Sequence, residues 1–477
     1  MGNNNKKTNL VIIGAGPGGY AAAFMAADLG LNVTLIDPRE NPGGVCLFEG
    51  CIPSKALLHA VKVKKEALEA NDYGISFPDP KINREKLLGW KNDVVQKLTG
   101  GVGQLSQRRK IEYVKGVATF KSSDTIEIEK NDGEKETRKF DKAIIATGSN
   151  STLLPGFDPG KEYIMTSKEA LDLKDIPKKL LVIGAGYIGL EMGTVYAGLG
   201  SKVTIAELTP HVLPGVDRDL VKVFEKANRD LFEKIMLETK VAEVIDSKNK
   251  VKVTFETKDG KKNGEFDKIL LAVGRKPFTE NLGLENTSVK TSEKGFIEVD
   301  EQRKTRDDNI FAIGDVTGEP MLAHKAFHEG RVAAEVIAGK KSAYEPRAIP
   351  AVVFTDPEIA WTGMSEEEAK EAGKDFNVVK FPWGASGRAK TLNSSHGITK
   401  MIIEKETGRI LGVGIAGKEA GELIGEGTLA VEMAAVASDV SLTIHSHPTL
   451  SETIMETADL FFGTATHMHK PLNKNKK

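Results

Sequence analysis

The sequence predicts an α/β chain with two Rossmann-like strand–helix–strand units followed by a separate α+β domain. Three observations carry this expectation. The stretch LVIIGAGPGGYAAAFMAADLGLNVTLID at 10–37 recurs without a gap as LLVIGAGYIGLEMGTVYAGLGSKVTIAE at 180–207. The 48 glycines among 477 residues exceed the usual share of about 7%. After Pro346 the pattern changes to a strand-like VVFT, a helical EEEAKEAG, strands around 397–415 and a helical run near 420–437.

Each copy of the repeat reads as a buried apolar strand, a glycine turn, a helix and a second strand ending in a carboxylate. Gly14, Gly16, Gly19 and Asp37 meet Gly184, Gly186, Gly189 and Glu207. The first glycine permits the tight turn, the second lets backbone N–H groups approach a pyrophosphate, and the third lets helix pack on strand. The helix N-terminus adds partial positive charge, and the terminal carboxylate accepts from a ribose hydroxyl. Two dinucleotide sites in one chain are therefore expected. At Glu207 a 2′-phosphate about 4 Å away would meet about 4 kcal/mol of repulsion at an effective dielectric near 20. NAD is expected over NADP, since only His211 and, further on, Arg218 lie nearby.

The segments 139–149 (KFDKAIIATGS) and 268–275 (KILLAVGR) read as strands that close the two nucleotide domains. Residues 305–315 read as a further apolar strand ending in Gly314-Asp315, where a carboxylate could meet a ligand hydroxyl at the end of a sheet or stand as a solvated turn residue.

Composition excludes several classes. Lys+Arg 66 against Asp+Glu 67 provides no electrostatic footprint for nucleic acid or an anionic membrane. Apolar runs break before about 18 residues, so no transmembrane helix is expected. MGNNNKKTNL has no signal-peptide h-region, and a cytoplasmic location is expected. The length suggests about three domains.

The two cysteines are Cys46 and Cys51, and chance would place two residues so close about 2 times in 100. Zinc is disfavoured because no second Cys or His cluster completes a set of ligands, so no metal is expected. Glycines precede a helix expected to begin near Cys51, whose N-terminus would make Cys51 the lower-pKa thiol. Lys55 follows by one turn. Glu191 is a charge in an otherwise apolar helix. In HSHPTLSE, His445 and His447 precede Glu452, and a histidine oriented by a carboxylate is the usual form of a general base near neutral pH. Trp90, Trp361 and Trp383 show no arrangement beyond packing.

These motifs, GxGxxG with Asp37, GGVCLFEGCIPSK, the ATG at 146–148, GAGYIGLE, IFAIGD and HPTLSE, in this order and spacing resemble the pyridine nucleotide–disulfide oxidoreductases. The resemblance runs from residue 10 to about 465. It implies an FAD-binding domain with a redox disulfide at 1–149, an NAD-binding domain at 150–276, a central segment at 277–348 completing the FAD domain, and a C-terminal dimerisation domain with the catalytic His at 349–477.

CIPSK, HSHPTLSE, LPGVDRDL and MLAHKA are most similar to the branch that oxidises protein-bound dihydrolipoamide with NAD as acceptor. The resemblance implies that Gly14, Gly16, Gly19, Asp37, Lys55, Gly148, Asp315 and Ala323 hold FAD, and that Gly184, Gly186, Gly189, Glu207 and Gly274 bind NAD. Cys46 would be the interchange thiol and Cys51 the flavin-side thiol. Lys55 and Glu191 would be an ion pair beside the flavin, and His447 with Glu452 the base and its orienting partner. Tyr187 stands where relatives have a gate over the nicotinamide pocket. The implied partners are a second copy of the chain and the lipoyl-bearing and acyltransferase subunits of 2-oxo acid dehydrogenase complexes, or the lipoyl carrier of glycine cleavage. Alternatives are an NADH-driven reductase of another small disulfide and a flavin-bearing redox sensor or scaffold. Between the cysteines this chain has Phe48-Glu49 where the family commonly has Asn-Val, and a carboxylate pointing inward there would disfavour thiolate.

Overall fold

The computed structural model describes residues 9–247 and 250–469. The chain forms two compact units: one takes in the chain to Ala60, Pro78–Asp175 and Leu271–Glu345, the other Val61–Phe77, Ile176–Leu270 and the chain from Pro346.

In the first unit the apolar strands Asn9–Ile13 and Asn32–Ile36 pair in parallel, and the complete sheet runs Ile310–Ala312, Lys142–Ile145, Asn9–Ile13, Asn32–Ile36, Glu112–Val114. Strand 310–312 thus returns from far along the chain to pair with 142–145. Near-continuous burial of these strands is what a parallel sheet covered on both faces requires. Helix Pro17–Asp28 packs on helix Ala323–Ile337 through small residues. A Cβ on Gly330 would lie 2.6 Å from the Gly18 carbonyl oxygen, so no larger residue fits there. An antiparallel three-stranded sheet, Gly116–Ser122, Thr125–Lys130 and Lys135–Lys139, completes the unit.

The second unit repeats the parallel design with strands Lys234–Met236, Lys202–Ala206, Lys179–Ile183 and Lys268–Leu271 in that order. Its C-terminal part is an antiparallel sheet ordered Ala351–Val353, Glu358–Gly363, Ile410–Gly417, Ile398–Glu404, Phe376–Pro382. The fully buried Trp383 centres that core, and its indole N–H donates to Thr399 at 2.9 Å. Lys400, also buried, is held by the carboxylates of Asp217, Asp219 and Glu366. These three acids could otherwise pass for a metal site, but the ammonium already supplies their cation.

Among the described residues one helical stretch, Gly44–Tyr73, is long and apolar enough by composition to cross a membrane. The stretch breaks at Gly50, and its apolar Leu47, Leu57 and Leu58 are buried in the protein core. It therefore carries its apolar content for packing.

Candidate functional site

Both glycine turns have the geometry that a pyrophosphate needs. Gly14 and Gly184 have φ of 98° and 101°, the left-handed region that L side chains avoid. A Cβ on Gly19 would lie 1.9 Å from the Gly14 oxygen, and one on Gly189 2.0 Å from the Gly184 oxygen. Space opens beside Gly186, where an added Cβ meets nothing within 4 Å. The helices that follow are N-capped by Gly16 and Gly186 without a side-chain cap, so their first N–H groups are left for an anionic ligand.

The carboxylates are placed in parallel fashion. Asp37 Oδ2 accepts from Ala15 N–H at 2.9 Å and Oδ1 from Arg39 N–H at 3.0 Å. Glu207 Oε2 accepts from Ala185 N–H at 2.6 Å and Oε1 from Thr209 N–H at 2.8 Å. Each acid is thus locked to the glycine turn of its own unit. The residues fit two dinucleotides. Arg218 is spent on the carbonyls of Val212, Leu213 and Val216, which leaves its fork committed to the loop rather than to a 2′-phosphate.

In the first unit Cys46 lies in the short helix Gly44–Glu49 and Cys51 opens helix Cys51–Glu69. Gly44 presses on the first glycine turn, since a Cβ there would lie 2.4 Å from Gly16 Cα. Both cysteines are thiols. A hydrogen bond with Cys51 and burial push the Cys46 thiol up, while Lys55 pulls it down. The structure therefore brings Lys55 within electrostatic reach of the pair. Glu49 turns outward: its oxygens lie 3.4 Å from Arg39 Nη2 and 3.1 Å from Lys168 Nζ. Asp315 accepts from Ser149 Oγ at 2.5 Å, and Ser149 accepts from Arg275 Nε at 2.8 Å. Gly148 adopts φ 75° and Gly274 φ 114°, and Ala323 heads its helix.

In the second unit Glu191 is buried in helix Tyr187–Leu199 and accepts from Phe354 N–H at 2.9 Å. Tyr187, at the head of that helix, is exposed. His447 Nδ1 lies 2.8 Å from Glu452 Oε1, and Glu452 Oε2 accepts from Thr449 N–H at 2.7 Å. That carboxylate engages Nδ1 and leaves Nε2 as the ring nitrogen outside the pair. The His447 side chain is 70% exposed. His445 is its opposite: 5% exposed, with Nε2 2.7 Å from Glu426 and Nδ1 2.8 Å from the Thr443 carbonyl oxygen. Of the two histidines in HSHPT, geometry leaves only His447 facing solvent.

Burial of Glu452 opposes its charge, but Thr449 N–H and His447 outweigh it and hold the carboxyl below its usual range. A carboxyl depressed by folding contributes stability above its unfolded value, about 4.3, and that contribution fades as pH falls through the lower folded value. Glu452→Gln is therefore expected to lower the melting temperature at pH 7, with the gap narrowing only below about pH 4.3. Thermal melts between pH 7 and pH 3.5 check this, and a gap constant over that range would refute it.

Sequence reasoning missed an ion cluster under the Gly314 turn. Glu329, fully buried, accepts from Gly314 N–H at 2.5 Å and pairs with Arg303 and Lys325 at 3.0 and 3.1 Å. Lys325 also donates to the Gly314 carbonyl oxygen. The only signal was a Lys and a Glu four apart on one helix, which usually marks a solvated face. His467 and Glu456, 2.6 Å apart, were likewise not anticipated.

Residues 8–330 match the pyridine nucleotide-disulphide oxidoreductase family, and 349–458 match the dimerisation domain of the same family. The chain belongs to that family. Among similar members of this oxidoreductase family, a dihydrolipoyl dehydrogenase from Haemophilus influenzae is 46% identical over 98% of each chain. One from Geobacillus stearothermophilus is 44% identical over 97% of this chain and 98% of its own. Solved structures resemble it too. LpdA from Mycobacterium tuberculosis has a TM-score of 0.88 at 28% identity, covering 95% of this chain and 99% of its own. An HOCl-induced flavoprotein disulfide reductase from Escherichia coli has a TM-score of 0.84 at 28% identity over the same shares. The dimerisation domain makes this oxidoreductase a homodimer.

Proposed function

We propose that the chain oxidises protein-bound dihydrolipoamide to lipoamide with NAD as final acceptor. The reading rests on one observation: a cysteine pair with a thiol at a helix head is combined, in one chain, with an exposed His447 whose Nδ1 is committed to Glu452. It is supported by the 42–47% identical relatives named dihydrolipoyl dehydrogenase.

FAD and NAD are the cofactors. Gly14, Gly16, Gly19 and Asp37 would hold the adenosine and pyrophosphate of FAD, with Gly148, Asp315 and Ala323 along the rest of that cofactor and Lys55 beside its flavin. Gly184, Gly186, Gly189, Glu207 and Gly274 would hold NAD. In the oxidised enzyme Cys46 and Cys51 form a disulfide. His447 Nε2 takes a proton from one substrate thiol, and the thiolate attacks Cys46 sulfur, releasing Cys51 as thiolate. The second substrate thiol then displaces Cys46, which leaves as thiolate and takes a proton. Lipoamide departs oxidised and the enzyme keeps both electrons as its dithiol. Bound FAD supplies the route by which that electron pair passes to NAD. Lys55 would provide positive charge beside the thiolate. Its partners would be the lipoyl-bearing and acyltransferase subunits of 2-oxo acid dehydrogenase complexes, or the lipoyl carrier of glycine cleavage.

Steady-state NADH formation from dihydrolipoamide, run beside NADPH oxidation with oxidised glutathione, tests the reading. Turnover of the first alone is expected, and turnover of the second alone would overturn it. The division of labour between the thiols has its own test. Purified with FAD, Cys46→Ser is expected to show a long-wavelength charge-transfer band without added reductant, from Cys51 thiolate beside the flavin, and Cys51→Ser is expected to show none. The reverse pattern would exchange the two roles.

A further inference from the structure

Phe48 and Glu49, inside the cysteine segment, do not sit idle. Arg39 reaches both ends of a short circuit. Its Nη1 lies 3.6 Å from Asp37 Oδ1 and its Nη2 3.4 Å from Glu49 Oε2. Its guanidinium centre is 5.8 Å from the Phe48 ring centroid, and its carbonyl oxygen accepts from the Tyr113 hydroxyl at 2.9 Å. Lys168, in helix Ser167–Leu171, closes the far side of Glu49 at 3.1 Å. A planar guanidinium serves two carboxylates and an aromatic face together, which an ammonium does not.

We propose that Arg39 is a positioning residue that couples the adenosine end of the FAD site, through Glu49 and Phe48, to the segment carrying Cys46 and Cys51. The proposal rests on the reading of Asp37 as the ribose carboxylate. Glu49 lies three residues after Cys46 and two before Cys51, so whatever steadies Glu49 steadies the loop that the disulfide must close. Asp37, buried and fixed to the Ala15 and Arg39 N–H groups, is the other anchor. Coupling between two anchors is reciprocal: loosening Glu49 weakens the hold on FAD, and an occupied adenosine subsite quiets the thiol loop. Because Arg39 and Glu49 are each partly exposed, the effect is modest, about three- to fivefold.

The test uses purified holoenzyme and two readouts: the rate of FAD release, followed by the rise of flavin fluorescence, and the rate at which iodoacetamide alkylates the thiols after reduction by NADH. Glu49→Gln, Arg39→Met and Arg39→Lys are each expected to speed both rates by about three- to fivefold. The Arg39→Met/Glu49→Gln double variant should be no faster than Arg39→Met alone. Unchanged rates in Glu49→Gln, rescue by Arg39→Lys, or effects that multiply in the double variant would overturn the tie. Asp37→Asn separates the two levels. It should release FAD faster than any of these. If it does so while Glu49→Gln does not, the tie alone fails; if Asp37→Asn releases FAD at the unaltered rate, the adenosine reading fails and the tie with it.

Discussion

Co-expressed Cys46→Ser and His447→Ala chains are expected to regain about 25% of the unaltered activity, although each variant as a homodimer is nearly inactive. The expectation follows if the C-terminal domain of one chain hands His447 to the Cys46–Cys51 segment of its partner. The His447 side chain is 70% exposed, and Leu442 and Ile444 before it are 81% and 96% exposed, in a domain that matches a dimerisation family over 349–458. Random pairing makes half the dimers mixed, and each mixed dimer has one site with both lesions and one with neither. Were His447 to serve its own chain, every site would carry a lesion and activity would stay at background. Doubly tagged, purified heterodimers without activity would refute the shared site.

Replacing Glu207 by Gln is expected to move the NADP to NAD ratio of kcat/KM by about a hundred- to a thousandfold, the repulsion of about 4 kcal/mol being removed. The carboxylate has little room to turn away: it is 7% exposed and held by Ala185 N–H and by both Thr209 donors. No compensating cation is recruited from Arg218, whose fork is used within its own loop. Steady-state kinetics with both nucleotides checks the outcome, and an unchanged ratio would remove Glu207 from the ribose site.

The two nucleotide units were legible because their chemistry is local. A glycine turn with φ near 100°, a helix start without a side-chain cap, and a carboxylate at the end of the next strand are all written within 10–37 and again within 180–207. Local spacing also sufficed for Cys51 at a helix head and for Glu452 at the Nδ1 of His447, five residues away. What local reading could not supply was direction. Glu49 was a carboxylate of unknown heading until Arg39 and Lys168, ten and more than a hundred residues away, were brought against it. The burial of His445 was not legible, since the Glu426 that draws it inward stands in a separate helix.

By itself, then, the sequence determined the repeated α/β units, the cysteine pair at a helix head and the pairing of His447 with Glu452, since each is written within one short stretch of chain. The tertiary structure alone decided which charges are buried and what they face: Glu329 against Arg303 under the Gly314 turn, and Lys400 among three acids. A buried charge is tolerable only where a partner stands, and those partners come from distant parts of the chain that only folding brings together.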